Sequence, residues 1–547
     1  MWLIGFESAF HHLLSVMKIT TPKAIAIALL AGPIASLQAQ ALLVVPGTHA
    51  TIQAAINASV NGDTVLVLPG AYVENLDVGG KDITIQSAGG ALQTTIDGSA
   101  VSGPTVLFPA GSTRAAIFEG FTVRGGNHTG SSSYGGGIRV TSSSPTIRDC
   151  VVTDNISDSY GGGIGVTGNP AGPLFERCTV VGNHASGLGY ASGGGIAINS
   201  ATPGAVGTEI RHCTFDGNDA ATRGGGIYLA YSPGCIIDSC RVMRNETLGS
   251  SGFLNGGAGI FLALGSATQV SNCRIWNNIS NSDGGGVKWF NVTAAAFVNN
   301  TIVDNVGGGA AGYANGGAFG SNVVADLVNC IIWQNGGGAE FSFNGLDQGG
   351  LPPDAVVNHC VVTGGYTGTA NLNVAPQLLG VGSGNHHLDP GSPCIDAGNS
   401  VLLPLPTVDI DGQPRVISGS PDIGADEFDP SATLLYSDVA TISVSSPGPV
   451  IYSVTNGPAN SLYGVFFSIS GTQPGTALFG KIAPLNVDAL TTIFALVATT
   501  DGVGDGSVVL PALAMPPAFI GVTLSSAALV LGPTIDFSND ENVLIVP

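Results

Sequence analysis

Seven glycine-rich triplets each place one side chain where it could act on a ligand. They begin at Gly135, Gly161, Gly193, Gly224, Gly256, Gly284 and Gly316, and an apolar residue follows each one. If that apolar residue points inward from a strand, the next residue points outward. The outward residues are then Arg139, Gly165, Ala197, Tyr228, Phe261, Lys288 and Gly320.

Tyr228, Phe261 and Lys288 fall on three successive units of this series. Two exposed rings on neighbouring strands could stack on a sugar chain, with the lysine donating a hydrogen bond. We therefore predict these three residues as a glycan-binding site. The other interpretation is an aromatic pair that only stabilises the sheet, beside a solvated lysine.

The same series is poor in catalytic groups. A glycoside hydrolase needs two carboxyl groups about 5 to 9.5 Å apart, and the series has no carboxylate. A lyase acting on a uronate needs a base and a cation for the sugar carboxylate. Arg139 and Lys288 are too many units apart to share a site, so only Lys288 with a Ca²⁺ ion is left for a lyase. Five carboxylates near turns are not expected to stack into pairs with one another and are predicted to be solvating charges: Asp154, Asp216, Asp219, Asp283 and Asp304.

A second motif runs in step with the triplets: an apolar residue, Cys three positions later, an apolar residue two later, and Asn three after that. Its copies start at Ile147, Phe175, Ile210, Ile237, Val270, Phe297, Leu327 and Val357, with Asn in place of Cys in the sixth and Gly in place of Asn in the last. The units are short, β-branched and rich in glycine, without a helical period. Stacked units of about 30 residues predict an all-β fold, a right-handed parallel β-helix with three short strands per coil. The asparagines should then form a ladder of amides along the axis.

Four regions follow along the chain. Residues 1–41 are predicted to be a secretory signal region, with Met17 as an alternative start, and the mature chain is expected to lack a transmembrane segment. The β-helix is assigned to residues 42–388 and opens with a helical cap between Thr51 and Ala58. A turn-rich segment, 389–430, and a small C-terminal β-sandwich, 431–547, complete the chain.

Charge and cysteine placement exclude several functions. The net charge of −21 repels nucleic acid and anionic membranes, so no nucleic-acid partner is expected. Seven of the nine cysteines share the inward column, where parallel Cβ vectors disfavour disulfides and ligands for a metal are spread along a line. We expect buried free thiols there and no metal site.

Five acids of the segment 389–430 are the weak exception to this expectation: Asp409, Asp411, Asp422, Asp426 and Glu427. They could bind Ca²⁺, but acids around a turn fall short of a full calcium loop. An ion pair of Arg415 with Asp411 or Glu427 is the favoured interpretation. No cofactor is otherwise expected.

Three stretches resemble known families. The stretch Thr51-Ile52-Gln53-Ala54-Ala55-Ile56, together with Pro69-Gly70-Ala71-Tyr72, resembles secreted bacterial right-handed β-helix proteins of the pectate-lyase-like superfamily. The repeats are similar to those of chlamydial polymorphic outer-membrane proteins. Ser392-Pro393-Cys394-Ile395-Asp396-Ala397-Gly398, with Asp422-Ile423-Gly424-Ala425-Asp426-Glu427, is similar to a choice-of-anchor region. These resemblances imply a bacterial protein that is secreted or displayed at the cell surface.

Two functions stay open, because the superfamily mixes enzymes with non-enzymatic proteins. The first is a structural or glycan-binding β-helix without catalysis, with an extracellular polysaccharide or cell-surface glycan as partner. The second is a polysaccharide lyase or glycoside hydrolase that uses residues outside the chosen series.

Overall fold

The computed structural model describes residues 40–430 except for 131–132, 169–171, 188–190, 200–206, 250–254, 265, 291, 293, 309, 316–324, 337–338, 344–354 and 380–385. Beyond 430 it describes the backbone of separate strands. The chain from Leu42 to Val362 winds through four sheets whose strands pair in parallel from coil to coil, which is a parallel β-helix. The all-β parallel β-helix predicted from the repeats is confirmed.

Sheets 1 and 2 carry the second motif. Sheet 1 has 12 strands: Leu42–Val45, Thr64–Val67, Thr84–Ser87, Ile117–Glu119, Thr146–Arg148, Leu174–Glu176, Glu209–Arg211, Cys235–Asp238, Ala267–Ser271, Ala294–Val298, Ala325–Val328 and Ala355–Asn358. Sheet 2 has 11 strands: Gly70–Tyr72, Thr94–Asp97, Thr122–Arg124, Val151–Thr153, Thr179–Val181, Thr214–Asp216, Arg241–Met243, Arg274–Trp276, Thr301–Val303, Ile331–Trp333 and Val361–Val362.

Sheets 3 and 4 complete each coil. Sheet 3 has seven strands: Asn127–His128, Ile156–Ser157, His184–Ala185, Asp219–Ala220, Glu246–Thr247, Ile279–Ser280 and Val306–Gly307. Sheet 4 has 10 strands: Leu76–Asp77, Val106–Phe108, Ile138–Thr141, Ile164–Thr167, Ile196–Asn199, Ile227–Ala230, Ile260–Ala263, Val287–Phe290, Ala310–Asn315 and Ala339–Phe343. The middle coils thus have four strands rather than the predicted three, because two residues just after the asparagine also pair between coils.

The asparagine ladder is present in the core. From Asn155 to Asn335, each side-chain amide donates to the Oδ1 of the next asparagine at 2.8–3.0 Å. The same Oδ1 accepts the backbone N–H of the preceding asparagine, for example Asn245 N to Asn278 Oδ1 at 3.0 Å. The ladder therefore satisfies polar groups that the tight turn after sheet 2 would leave buried and unpaired.

Single residues in the left-handed conformation make the turns between sheets 1 and 2. These turn residues, with φ between 51° and 56°, are Asp149, Arg177, His212, Ser239, Asn272, Asn299, Asn329 and His359. Asn and Asp tolerate this conformation better than other non-glycine residues. The same position on every coil thus turns the chain by a sharp angle and presents one side chain at the corner.

The cysteine column is buried, as predicted. All nine cysteines are free and buried, and the thiols donate to nearby carbonyl oxygens, for example Cys150 Sγ to Arg148 O at 3.2 Å. Burial raises the pKa of the Cys150, Cys213, Cys240 and Cys360 thiols well above the usual value. Neutral thiols here act as small apolar side chains within the core.

We expect thiol labelling of the denatured, unreduced protein to modify Cys150, Cys178, Cys213, Cys240, Cys273, Cys330 and Cys360 without reductant. The physical reason is that vertically stacked Cβ atoms do not reach disulfide geometry. Mass spectrometry of the labelled peptides measures the result. Labelling that requires reductant would contradict the packing of this column.

The predicted helical cap is present as Ile52–Ala58. Thr51 caps its N-terminus by accepting the Ala54 N–H at 3.1 Å, and Glu74 accepts the N–H groups of Ile52 and Gln53 at 3.0 Å each. Ile52, Ala55 and Ile56 are buried in the same apolar cluster as the first coils. The helix therefore covers apolar surface that an open coil end would expose.

Among the described residues no helix is long and apolar enough to cross a membrane.

The C-terminal strands are Leu434–Ser437, Thr441–Ser443, Val450–Thr455, Leu462–Ser468, Thr476–Leu478, Lys481–Ala483, Thr492–Thr499, Gly506–Leu510, Thr523–Leu531, Ile535–Phe537 and Glu541–Val546. Nearly all pair antiparallel, and one pair, Thr441–Ser443 with Glu541–Val546, is parallel. The strand pairing thus changes from parallel to antiparallel after residue 430. The packing of these strands into a sandwich stays a prediction.

Candidate functional site

Tyr228, Phe261 and Lys288 lie in register on three neighbouring strands of sheet 4, as the repeat spacing predicts. Their predicted exposure is wrong: the side chains are 2 %, 1 % and 0 % exposed. Pointing away from the core of the coil is therefore not the same as reaching solvent in this sheet.

The glycine turns are the reason for this burial. Gly224, Gly257 and Gly284 adopt left-handed φ angles of +58°, +62° and +68°, which fold each turn back toward the strand that follows. A Cβ atom added to each glycine would lie close to the Cβ of the outward residue: 3.0 Å from Tyr228 for Gly224, 2.9 Å from Phe261 for Gly257, and 2.8 Å from Lys288 for Gly284. The turn backbone thus covers the outward side chains, and only glycine leaves the room for them.

Four aromatic rings form a column along this side of the helix. Tyr134 and Tyr160 stack with centroids 4.8 Å apart and planes at 15°. The column continues from Tyr160 to Tyr228 at 6.0 Å and from Tyr228 to Phe261 at 5.9 Å. Tyr134 and Tyr160 are half-buried, whereas the other two rings are buried. The accessible part of the column is therefore its N-terminal half, which the sequence prediction did not include.

Cations flank the column. Arg223 has its guanidinium carbon 6.0 Å from the centre of the Phe261 ring, a cation–π distance. Lys288 Nζ donates to Asn255 O at 2.6 Å and lies 3.8 Å from an Asp283 carboxylate oxygen. Burial lowers the pKa of Lys288 to about 8, although Asp283 acts in the opposite direction. Burial raises the pKa of Tyr228 to about 12, so this hydroxyl stays protonated.

We call Tyr134, Tyr160, Tyr228, Phe261, Arg223 and Lys288 the tyrosine face. Since Tyr134 and Tyr160 stack face to face, the ring faces between them are not open to a ligand. Asn199 donates to the Tyr134 hydroxyl at 3.1 Å, and half-buried Arg139 lies on the same sheet. Hydroxyl, amide and guanidinium groups of this kind bind the hydroxyl groups of sugars by hydrogen bonds.

Three of the five carboxylates predicted to be solvating charges have cationic partners, so that prediction is wrong for them. Asp216 is buried and pairs with Arg244, Asp219 pairs with His184, and Asp283 approaches Lys288. Asp219 is also in register with Glu246 on the next coil. Asp154 is exposed, as predicted for a solvating charge, and Asp304 is half-buried.

Residues 386–428, which we call the strap, form a second cluster of charged groups against sheet 2. His387 Nε2 is 2.9 Å from Asp411 Oδ2 and 3.7 Å from Asp426 Oδ1. Arg274, on sheet 2, donates to the same Asp411 oxygen at 2.7 Å, and Arg241 is 3.5 Å from the other oxygen. No partner for His387 could be identified from the sequence, because Asp411 and Asp426 show no regular spacing from it. The two arginines that complete the cluster are 137 and 170 positions from Asp411.

His387, Asp411 and Asp426 place one possible metal ligand each within 4.8 Å of one another. Arg274 and His387 both occupy Asp411 Oδ2, and a guanidinium at that distance repels a divalent cation. Asp426 uses its Oδ2 to accept the Leu388 N–H at 2.8 Å. We therefore interpret the cluster as a buried ion-pair network. Arg415 lies 3.7 Å from Glu427, one of the two ion pairs proposed from the sequence.

Three turn asparagines that the sequence analysis missed bind the strap. Asn272 donates to Val408 O at 2.8 Å, Asn299 to Asp422 O at 2.9 Å, and Asn329 to Asn399 O at 2.9 Å. All three are fully buried. One signal in the sequence could have identified them. The residue at the turn between sheets 1 and 2 is Asn on three successive coils, whereas its type varies in the other copies of the motif.

Comparison with known proteins gives few matches. No protein-family model and no curated protein matches the chain. Among solved structures the chain is similar to the pectate lyase Pel9A, with a TM-score of 0.45 and 14% identity over 72% of this chain and 98% of that chain. It is also similar to a pectin methylesterase from carrot, with a TM-score of 0.26 and 14% identity over 63% of this chain and 92% of that chain. The class of the protein, a parallel β-helix, rests on its own strand pairing.

Proposed function

We propose that the protein is secreted or displayed at the cell surface, where it binds a polysaccharide along the tyrosine face without cleaving it. The observation that carries the proposal is the half-buried Tyr134–Tyr160 stack, in which the Tyr134 hydroxyl accepts a hydrogen bond from Asn199 and is influenced by the charge of Arg139. Amphipathic rings that are partly open to water are typical of binding surfaces. Tyr228, Phe261 and Lys288 would form the buried base of this site.

The ligand we propose is a neutral or weakly charged glycan. The net charge of −21 disfavours approach of a polyanion, while the half-buried Arg139 provides donors for sugar hydroxyl groups. A chain lying parallel to the axis would meet similar groups on successive coils. The signal-like N-terminus and the resemblance to secreted β-helix proteins support a location outside the cell.

We expect Tyr134→Phe and Tyr160→Phe each to weaken binding to the responsive polysaccharide about 3- to 10-fold, because each removes one hydrogen-bonding hydroxyl and keeps the ring stack. Affinity electrophoresis against a panel of neutral and acidic polysaccharides, followed by calorimetry, measures the effect. Tyr366→Phe, in the last coil, is the matched control and should leave the affinity unchanged. Equal affinity of all three variants would contradict the proposed face.

A polysaccharide lyase is the second candidate, and the lowered pKa of Lys288, about 8, favours it. An amine with that pKa is partly neutral near physiological pH and could accept the proton removed in a β-elimination, provided that the turn at Gly284, which covers the buried Lys288, opens to the substrate. An assay for unsaturated product from uronate polymers, with and without Ca²⁺, separates the two functions. Product formation that is lost in Lys288→Met would replace the binding proposal with the lyase.

A further inference from the structure

The strap covers an apolar stripe on the outside of sheet 2. Leu388, Cys394 and Ile423 of the strap are 0 % exposed and share one cluster with Met243 and Trp276 of sheet 2. The stripe also includes Val181, Val303, Ile331 and Val361. Burial of these side chains favours the closed strap by the hydrophobic effect. This contribution does not depend on pH, because none of these side chains changes its charge.

Hydrogen bonds fix the strap to the corner between sheets 1 and 2. Besides the three turn asparagines, Arg415 donates to Asn272 Oδ1 at 2.6 Å, and Thr301 accepts the Ala425 N–H at 3.0 Å. These contacts are made by groups that hold their charge or neutrality over the physiological pH range. They position the strap but do not make it respond to pH.

The charged groups between the strap and sheet 2, unlike these hydrogen bonds, include side chains whose charge depends on pH. His387 is 4 % exposed and lies between Asp411 and Asp426, and Arg274 and Arg241 approach the Asp411 carboxylate from sheet 2. The rest of the network consists of Asp409, Asp422, Glu427 and Arg415, all of which are buried. Five carboxylates thus face three guanidinium groups and one imidazole, so the charge of His387 decides how much negative charge is left uncompensated in a dry interface.

We propose that protonation of His387 controls whether the strap is bound to sheet 2. The strap is closed over sheet 2 while His387 carries a proton between Asp411 and Asp426. It detaches from sheet 2 when that proton is lost, and the coils stay folded. This device is independent of the proposed glycan-binding function.

The expected direction of the response follows from the charges. Burial by itself lowers the pKa of His387, but Asp426 and Asp411 outweigh it and raise the pKa above the usual value. A raised pKa in the closed state means that this contribution is complete below the pKa of a free imidazole and is lost as the pH rises through the raised value. Burial also raises the pKa of Asp409 to about 7 and of Glu427 to about 8, so their ionisation loosens the strap in the same alkaline direction.

Cys394 gives a direct readout, since it belongs to the strap and is buried against sheet 2, whereas the other cysteines lie in the coils. Pulsed labelling of the native, full-length chain at about pH 6 and about pH 9, read by mass spectrometry, gives the protection of each thiol relative to the unfolded chain at the same pH. We expect the protection of Cys394 to fall about tenfold or more between the two conditions, since one unit of pKa difference corresponds to about a tenfold change in the equilibrium. Cys150 and Cys240 should stay protected.

Two variants test the role of His387. His387→Gln keeps a donor for Asp411 but cannot be charged, so Cys394 should already be weakly protected at the lower pH and the pH dependence should be much smaller. Asp426→Asn removes one of the two carboxylates that raise the pKa of His387, so the midpoint of the transition should move to lower pH. His184→Gln removes a histidine–aspartate pair on sheet 3 and is the matched control, with wild-type behaviour of Cys394 expected.

Two outcomes overturn the proposal. One is Cys394 protection equal to that of the coil thiols at both pH values, which would make the strap part of one cooperative unit with the coils. The other is an unchanged pH dependence in His387→Gln, which would assign the response to the acids alone. If the coil thiols show that His387→Gln is unfolded, the wild type and Asp426→Asn decide the question.

Discussion

Asn245→Ala is expected to destabilise the β-helix by about 3 kcal/mol or more. Asn245 lies in the middle of the ladder and is 0 % exposed. Its Nδ2 donates to Phe215 O and to Asn278 Oδ1, and its Oδ1 accepts both the backbone and the side-chain N–H of Asn218, all at 3.0 Å. Alanine would remove these four buried hydrogen bonds, each worth about 0.5–1.5 kcal/mol, and would leave the buried Asn218 N–H without its acceptor, which costs about 1–3 kcal/mol more.

Chemical denaturation followed by circular dichroism measures the loss, and hydrogen exchange of neighbouring coils shows whether it is local. The matched control is Asn281→Ala. Asn281 is exposed and donates only to Leu248 O at 3.1 Å, so its change should stay within about 0.5 kcal/mol. A similar small effect at both positions would mean that water replaces the ladder at little cost.

Phe261→Ala is the second large effect, with a destabilisation of about 3–5 kcal/mol expected for a buried phenylalanine. The ring is 1 % exposed, lies 5.9 Å from the Tyr228 ring, and carries the Arg223 guanidinium at 6.0 Å. Truncation removes the buried ring surface, the contact with the Tyr228 ring and the cation–π contact with Arg223, and it leaves a cavity beneath the glycine turn. An exposed sugar-binding ring, as the sequence suggested, would instead lose ligand affinity with little change of stability.

Phe290→Ala is the comparison within the same sheet. Phe290 is half-buried at the edge of the same aromatic cluster, so its truncation should destabilise the protein by clearly less than that of Phe261. Thermal and denaturant unfolding of both variants measures the difference. Equal losses would show that the glycine turn adds no protection to Phe261.

The sequence determined the coil and its interior. Inward positions recur with the motif because every coil must fill the same cross-section, so the Cys and Asn columns could be assigned from spacing alone. The structure places these asparagines in the predicted ladder and these cysteines in the core. The cap helix was also readable, since the spacing of Ile52, Ala55 and Ile56 is a local signal.

The contacts between surface side chains of neighbouring coils could not be predicted from the spacing of the motif. His184, Asp219 and Glu246 are neighbours in sheet 3 although they are separated by 35 and 27 residues. Coils differ in length through their loops, so equal spacing along the chain does not identify vertical neighbours outside the motif. Register between strands, which is set by backbone pairing, decided these contacts.

Only the tertiary structure decided which outward residues reach water. Tyr228, Phe261 and Lys288 point outward, yet turns with left-handed glycines fold back over them, and burial depends on that three-dimensional path. The strap likewise meets sheet 2 through residues far apart in the chain, such as Arg415 and Asn272, 143 positions apart. Periodicity thus fixed the repeating interior because identical coils impose it, whereas the covering of the surface depends on loops and long-range contacts that occur once and leave no period in the sequence.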